Sequence, residues 1–117
     1  VIGLTAYNTG TYYAPMETWQ SFTTLYQPLY ASYMQQFALK PFMITEFAAS
    51  SIGGNKPAWI SNMLHHIADY PQIKVAIWWS GCDLDYRDHK TPARIYYLDE
   101  NADTLKAFRD GVQRYKR

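Results

Sequence analysis

The sequence predicts an α/β fold built on a parallel sheet, and three observations carry that expectation. Segments rich in β-branched and apolar residues alternate with segments whose apolar residues recur every three or four positions, as strands and amphipathic helices do. The strand segments are apolar almost without interruption, which suits strands buried on both faces. Each is followed by a helical segment long enough to serve as a parallel crossover. The order reads β-α-β-α-β-α.

The first strand is "VIGLTAY", closed by the turn-forming "NTG". In "METWQSFTTLYQPLYASYMQQFAL", Trp19, Phe22, Leu25, Tyr26, Leu29, Tyr30, Tyr33, Met34 and Phe37 share one helical face. Pro28 is expected to break or kink that helix, and fits best as the first residue of a second helical piece. "KPFMITEF" is the second strand, and the loop "AASSIGGN" offers glycines for tight backbone and Asn55 as a helix cap. Trp59, Ile60, Met63, Leu64 and Ile67 mark the next helix, which ends before Pro71. The third strand, "IKVAIWW", runs into a long polar loop, "SGCDLDYRDHKTPARIYYLDENAD". A last helix carries Leu105, Phe108, Val112 and Tyr115 on one face. Three such units leave two apolar sheet edges unpaired unless further strands exist.

A length of 117 residues matches one small domain, burying roughly two-thirds of its unfolded surface on folding. The formal charge of +1, with Lys and Arg scattered, supplies no field to attract nucleic acid or an anionic membrane. Aromatic residues make up 17% of the chain, with eleven tyrosines and four tryptophans, more than a packed core of this size needs. Flat amphipathic rings suit sugar faces and protein interfaces. Cys82 stands alone, so an intrachain disulfide is excluded. The sequence contains no signal peptide, lipidation signal or membrane-length apolar run. Its opening, "VIGLTAYN", reads as mid-strand without an initiator Met, so the expectation is a piece of a longer chain.

In parallel α/β folds the ligand site lies beyond the C-terminal ends of the strands. Those ends offer Tyr7 and Asn8, then Glu46, then Trp78 and Trp79. An ionised carboxylate avoids the end of a buried strand unless it is paired or used. A carboxylate can attack an anomeric carbon, a tyrosine can hold it, and an indole can stack under a sugar ring. Such a set is suited to cleaving sugars. The alternative for Glu46 is an ion pair or backbone hydrogen bonds closing the strand, and for Tyr7 a core tyrosine with a satisfied hydroxyl.

The stretches "VIGLTAYNTG", "KPFMITEFAASSIGG", "WISNMLHHI" and "IKVAIWWS" resemble the C-terminal part of a clan A glycoside hydrolase, closest to family 26, the β-mannanase family. The resemblance runs through nearly the whole chain, with "KPFMITEF" its most specific element. It implies that residues 1–117 form the C-terminal segment of a glycoside hydrolase catalytic barrel, its three βα units being the sixth to eighth of a TIM-type (β/α)8 barrel, incomplete as given. It implies a retaining mechanism on β-linked polysaccharide, β-mannan first, with Glu46 as nucleophile, Tyr7 as its hydrogen-bonding partner and Trp78 as the floor of the cleavage subsite. Trp79 is assigned to helix packing by strand alternation, and a one-residue slip would exchange the two tryptophans. Asn8, Tyr12 and Trp79 complete the candidate substrate contacts, with Tyr13 and Tyr86 as further mouth aromatics. The family implies no cofactor, no metal, and an extracellular or cell-surface bacterial location.

The family's acid/base glutamate has no counterpart here. Retaining hydrolysis needs two carboxyl groups about 5 Å apart, so the chain is expected to be inactive alone. Glu17, Glu100, Asp83, Asp85 and Asp88 are poor substitutes, being at a helix start or in polar loops. His65 and His66, adjacent on a helix, cannot share a metal-binding face. Arg94 resembles a family arginine, though anchoring the last loop is its expected work. Expected partners are a β-linked polysaccharide or oligosaccharide, and either the remainder of the barrel or a second copy over the open sheet edges. The rival readings are a non-catalytic carbohydrate-binding remnant and a purely structural half-barrel folding unit.

Overall fold

The computed structural model describes residues 1–116. Strands β1 (Ile2–Asn8), β2 (Phe42–Ala49) and β3 (Ile73–Trp78) form a parallel sheet in that order. Helix α1 (Phe22–Phe37) connects the first two strands and α2 (Lys56–His66) the second and third. Between β3 and the last helix, α3 (Ala102–Val112), the chain forms two further strands, β4 (Cys82–Leu84) and β5 (Pro92–Ile95), paired antiparallel.

The expectation of three βα units of a TIM-type barrel is therefore corrected. The protein is a small α/β domain with a three-stranded parallel sheet and a separate two-stranded antiparallel sheet. Its third unit is not strand followed by helix. The segment expected to be a polar loop folds as the β4–β5 hairpin, and α3 beyond it packs chiefly against α2.

Local chemistry explains most boundaries. Residues 11–17 form turns and bends and 18–20 are irregular, so α1 begins later than the apolar spacing suggests, where Ser21 Oγ accepts from Thr24 N at 3.0 Å. Pro28 lies inside an uninterrupted helix rather than opening a second one, at the cost of the hydrogen bond its nitrogen cannot donate to Thr24. Asn55 caps α2 as the sequence predicts, its Oδ1 accepting from Ala58 N at 3.0 Å.

The core lies between the sheet and its helices: Leu4, Phe42, Ile44 and Phe47 meet Phe22, Tyr26, Trp59, Ile60, Met63 and Leu64. Tyr26 is buried there, and its hydroxyl both donates to Ala6 O and accepts from Ala6 N, each at 3.0 Å. These bonds satisfy the backbone of Ala6 in the edge strand β1, and burial pushes the phenol above its ordinary range. On the opposite face of the sheet Gly3, Thr5, Thr45, Val75 and Ile77 are exposed.

Candidate active site

Strand β2 changes parity where it reaches the site. Leu4 pairs with Ile44, but the next residue, Thr5, pairs with Glu46, so Thr45 is an extra residue in the ladder. Regular alternation would put Glu46 on the same face as Phe42 and Ile44, inside the core. The bulge sends Thr45 and Glu46 both to the open face, and the buried run resumes at Phe47. Thr45 Oγ1 makes hydrogen bonds to Leu4 O at 3.2 Å and with Thr5 Oγ1 at 2.7 Å, which ties down the extra residue.

Glu46 accepts a hydrogen bond on Oε1 from the Tyr7 hydroxyl. Among the described residues, no ion pair includes Glu46, so its carboxylate is held by a phenol and not by a cation. Tyr7 is braced in turn: its ring lies tilted against Tyr96 at 5.2 Å between centres and edge-on to Trp79 at 6.5 Å. Tyr7, Thr9, Glu46, Trp79, Asp83, Arg94 and Tyr96 surround a cavity of about 310 Å³. That size lies at the lower end of the range for small-molecule sites.

The two tryptophans stand in the reverse of the expected arrangement. Trp78 turns to the helices, packs against Phe47 and Trp59, and donates Nε1–H to Tyr96 O at 2.8 Å. Trp79 turns to the cavity, is 37% exposed, and packs edge-on to Tyr96 at 5.6 Å. Its indole lies directly over Gly81, where an added Cβ would come within 2.5 Å of the ring.

Asn8 and Tyr12, two other expected sugar contacts, do not line the cavity. Asn8 is fully buried, its Oδ1 accepting from Gln20 N at 3.0 Å and Gly10 N at 3.4 Å, so it shapes the loop after β1. Gly10 adopts φ 79°, and a Cβ there would meet Ile52 O at 2.2 Å. Only glycine lets this loop approach the one after β2 so closely. Tyr12 donates to Asp85 Oδ2 at 2.6 Å and so holds the hairpin; that carboxylate raises the phenol above its usual range.

The hairpin supplies what the sequence reading missed. Asp83 and Arg94 face each other across β4 and β5, and with Tyr96 they build one wall of the cavity. Arg94 grips Glu17 with Nε at 3.1 Å and Nη2 at 2.7 Å, and Asp83 with Nη1 at 3.1 Å. These carboxylates, Glu17 first, raise the guanidinium further above its ordinary range. The hairpin docks on the end of β2 through Ser51 N to Ile95 O at 3.1 Å and Ile95 N to Ser50 Oγ at 3.1 Å. Alternation in "PARIYY" was the available signal for β5.

Asp83 is the second acidic residue on the cavity wall. Its carboxylate already serves as an acceptor for Arg94, the wrong arrangement for a group that must donate a proton. Glu17 is bound by the same guanidinium, Glu100 pairs with Lys56, and Asp85 pairs with Arg87. Asp88 binds Thr91 and the backbone nitrogen of Lys90. Among the described residues, no group of three or more His, Cys, Asp or Glu side chains is arranged to hold a metal ion.

No protein-family model matches the chain. Over 107 residues, 91% of its length, it is 28% identical to Endoglucanase H of Acetivibrio thermocellus. The chain spans 11% of that protein's length. The similarity is distant, and it is to a glycoside hydrolase.

Proposed function

We propose that this chain carries the nucleophile of a retaining glycoside hydrolase acting on a β-linked hexopyranose polymer. The observation that supports this reading best is the Tyr7–Glu46 hydrogen bond in an aromatic-walled cavity, with no ion pair to Glu46 among the described residues. Tyr7 fixes Oε1 and leaves Oε2 to attack. Trp79 offers an exposed indole to the apolar face of a pyranose, while Arg94 and Asp83 offer hydrogen bonds to its hydroxyls. A large polymer is degraded outside the membrane, so the proposed place of action is extracellular or at the cell surface.

In the proposed step a Glu46 oxygen bonds to the anomeric carbon as the glycosidic C–O bond breaks, and the leaving oxygen departs with that electron pair. A natural alkoxide leaving group needs a proton, which Asp83 is poorly arranged to give. An activated aryl glycoside does not, because its phenolate leaves unaided. The chain alone is therefore expected to glycosylate itself at Glu46 from 2,4-dinitrophenyl 2-deoxy-2-fluoro-β-glycosides, and not to cleave polymer. The mannose donor follows from the family resemblance and the glucose donor from the name of the similar endoglucanase, so both belong in the test. Intact-mass measurement and peptide mapping should find one glycosyl unit on Glu46 with at least one donor, and none on Glu46→Gln. Absence of labelling with both donors, or labelling elsewhere, removes the nucleophile assignment.

The engagement of Asp83 by Arg94 favours one second reading, a module that binds glycan without cutting it. Oligosaccharide binding with no adduct from either donor is its signature.

A further inference from the structure

The two edges of the parallel sheet are not alike. At the β1 edge the Tyr26 hydroxyl takes both the N–H and the C=O of Ala6, the two groups a further strand would need there. At the β3 edge, among the described residues, no further strand is paired. Neither polar side chain of β3 covers that edge: Lys74 Nζ turns back to Pro71 O at 2.5 Å, and Trp78 Nε1 reaches Tyr96 O at 2.8 Å. Lys74, Val75, Ala76 and Ile77 are exposed in succession, with Val75 at 48% and Ile77 at 46%. A strand covered on one face would alternate instead. On the helix side lies a hollow of about 350 Å³, lined by residues 73–76 of β3 together with Leu64, Ile67, Tyr70 and Tyr115. An open, apolar, β-branched edge beside such a hollow is suited to receiving another strand.

We propose that β3 is the interface of a symmetric dimer, in which the β3 strands of two copies of this chain pair antiparallel and join their three-stranded sheets into one. The first argument for a second copy is what the chain itself offers. Of its parallel strands, β2 is internal and β1 is taken up at Ala6 by Tyr26, so β3 of the other copy is the edge left free to pair. Register is the second. Pairing centred on Ala76 sets Val75 of each copy opposite Ile77 of the other, on the face where both are exposed, and cross-strand pairs of β-branched residues stabilise a sheet. It also sets Lys74, the one charged residue of β3, opposite Trp78, so no like charges meet. Closure is the third: the joined sheet ends on β1 at both sides, and the Tyr26 cap stops growth at two copies. A strand of this length spans only about 20 Å. The contact is therefore narrow beside the roughly 800 Å² per side of a stable complex, and the dimer should dissociate in the micromolar range. It does not depend on what the Glu46 cavity binds.

Sedimentation of the chain from low to high micromolar concentration tests the proposal, and its mass should rise from 13.6 kDa toward twice that value. Val75 and Ile77 are exposed, so charging both should leave the fold intact, which circular dichroism checks. The chains carrying Val75→Lys with Ile77→Lys, or Val75→Glu with Ile77→Glu, should each lose at least about tenfold in self-affinity. An equimolar mixture of the two should restore a dimer, because every introduced Lys then faces a Glu. For the register, Ala76→Cys in a Cys82→Ser background should form a disulfide-linked dimer in air, and Lys74→Cys in the same background should not. A chain monomeric at every concentration overturns the proposal and leaves the edge to a strand of another polypeptide. A dimer undiminished by either charged pair, growth beyond two copies, or cross-linking through position 74 in place of 76 overturns it as well.

Discussion

Trp78 and Trp79 allow the site to be separated from the core one side chain at a time. Trp78 is wedged between Phe47 and Trp59 with its indole nitrogen bonded to Tyr96 O. Trp78→Ala should therefore cost about 3–5 kcal/mol of stability, measured by urea unfolding. Trp79, partly exposed over the cavity, should give the converse: Trp79→Ala lowers sugar affinity several-fold and moves the unfolding midpoint little. Equal destabilisation by both substitutions would count against their assignment to different faces. The sequence placed both residues at a strand end, and it placed Tyr7 and Glu46 likewise. It assigned the cavity to Trp78 and the helices to Trp79, the reverse of what the structure shows, because "IKVAIWW" is largely apolar on both faces and alternation supplies no sure parity cue. Asn8 and Tyr12 were legible as mouth residues only by position; their partners, Gln20 N and the Asp85 carboxylate, lie 12 and 73 residues away in the chain.

At the level of elements, the β4–β5 hairpin is where sequence reasoning fell short. Its strands are three and four residues long, carry charges, and have little intrinsic tendency to pair. Tertiary bonds define them: Ser50 and Ser51 to Ile95, and Tyr12 to Asp85. Asp85 is the anchor, accepting from Arg87 N and Nε at 2.7 and 3.0 Å, from Arg87 Nη2 at 2.7 Å and from Tyr12. The Arg87 guanidinium, then Tyr12, hold its carboxyl well below the usual carboxylate range. A group whose value is depressed on folding stabilises the folded state fully above its unfolded value, about 3.9, and loses that contribution as pH falls toward the folded value. Thermal melts between about pH 6 and pH 2 should show this loss, and Asp85→Asn should flatten it while lowering stability at neutral pH. The long parallel strands and α2 were readable because burial and capping reinforce their local preference. The hairpin has no such local support.

Across the whole molecule, Lys56 joins the parallel-sheet layer to the hairpin. It opens α2, is 1% exposed, and donates to Ile95 O at 3.1 Å, Tyr97 O at 2.7 Å and Glu100 Oε1 at 2.7 Å. Burial lowers its ammonium below the ordinary lysine range, and Glu100 partly offsets the shift. Lys56→Met should strand two carbonyls and a carboxylate, costing about 3 kcal/mol in urea unfolding. Adding Glu100→Gln should then cost less than it does in the unsubstituted chain, since the two residues are coupled. "SSIGGNK" revealed a capped helix start, but no local feature could announce that its lysine reaches 44 residues forward.

The extra residue in β2 also bears on any attempt to transplant this chemistry. Copying the carboxylate, the phenol and the indole onto a regularly pleated scaffold would point the acid into the hydrocarbon interior. A graft must carry the Thr45 irregularity and its threonine fastening with them, because here the defect in the ladder is what aims the acid.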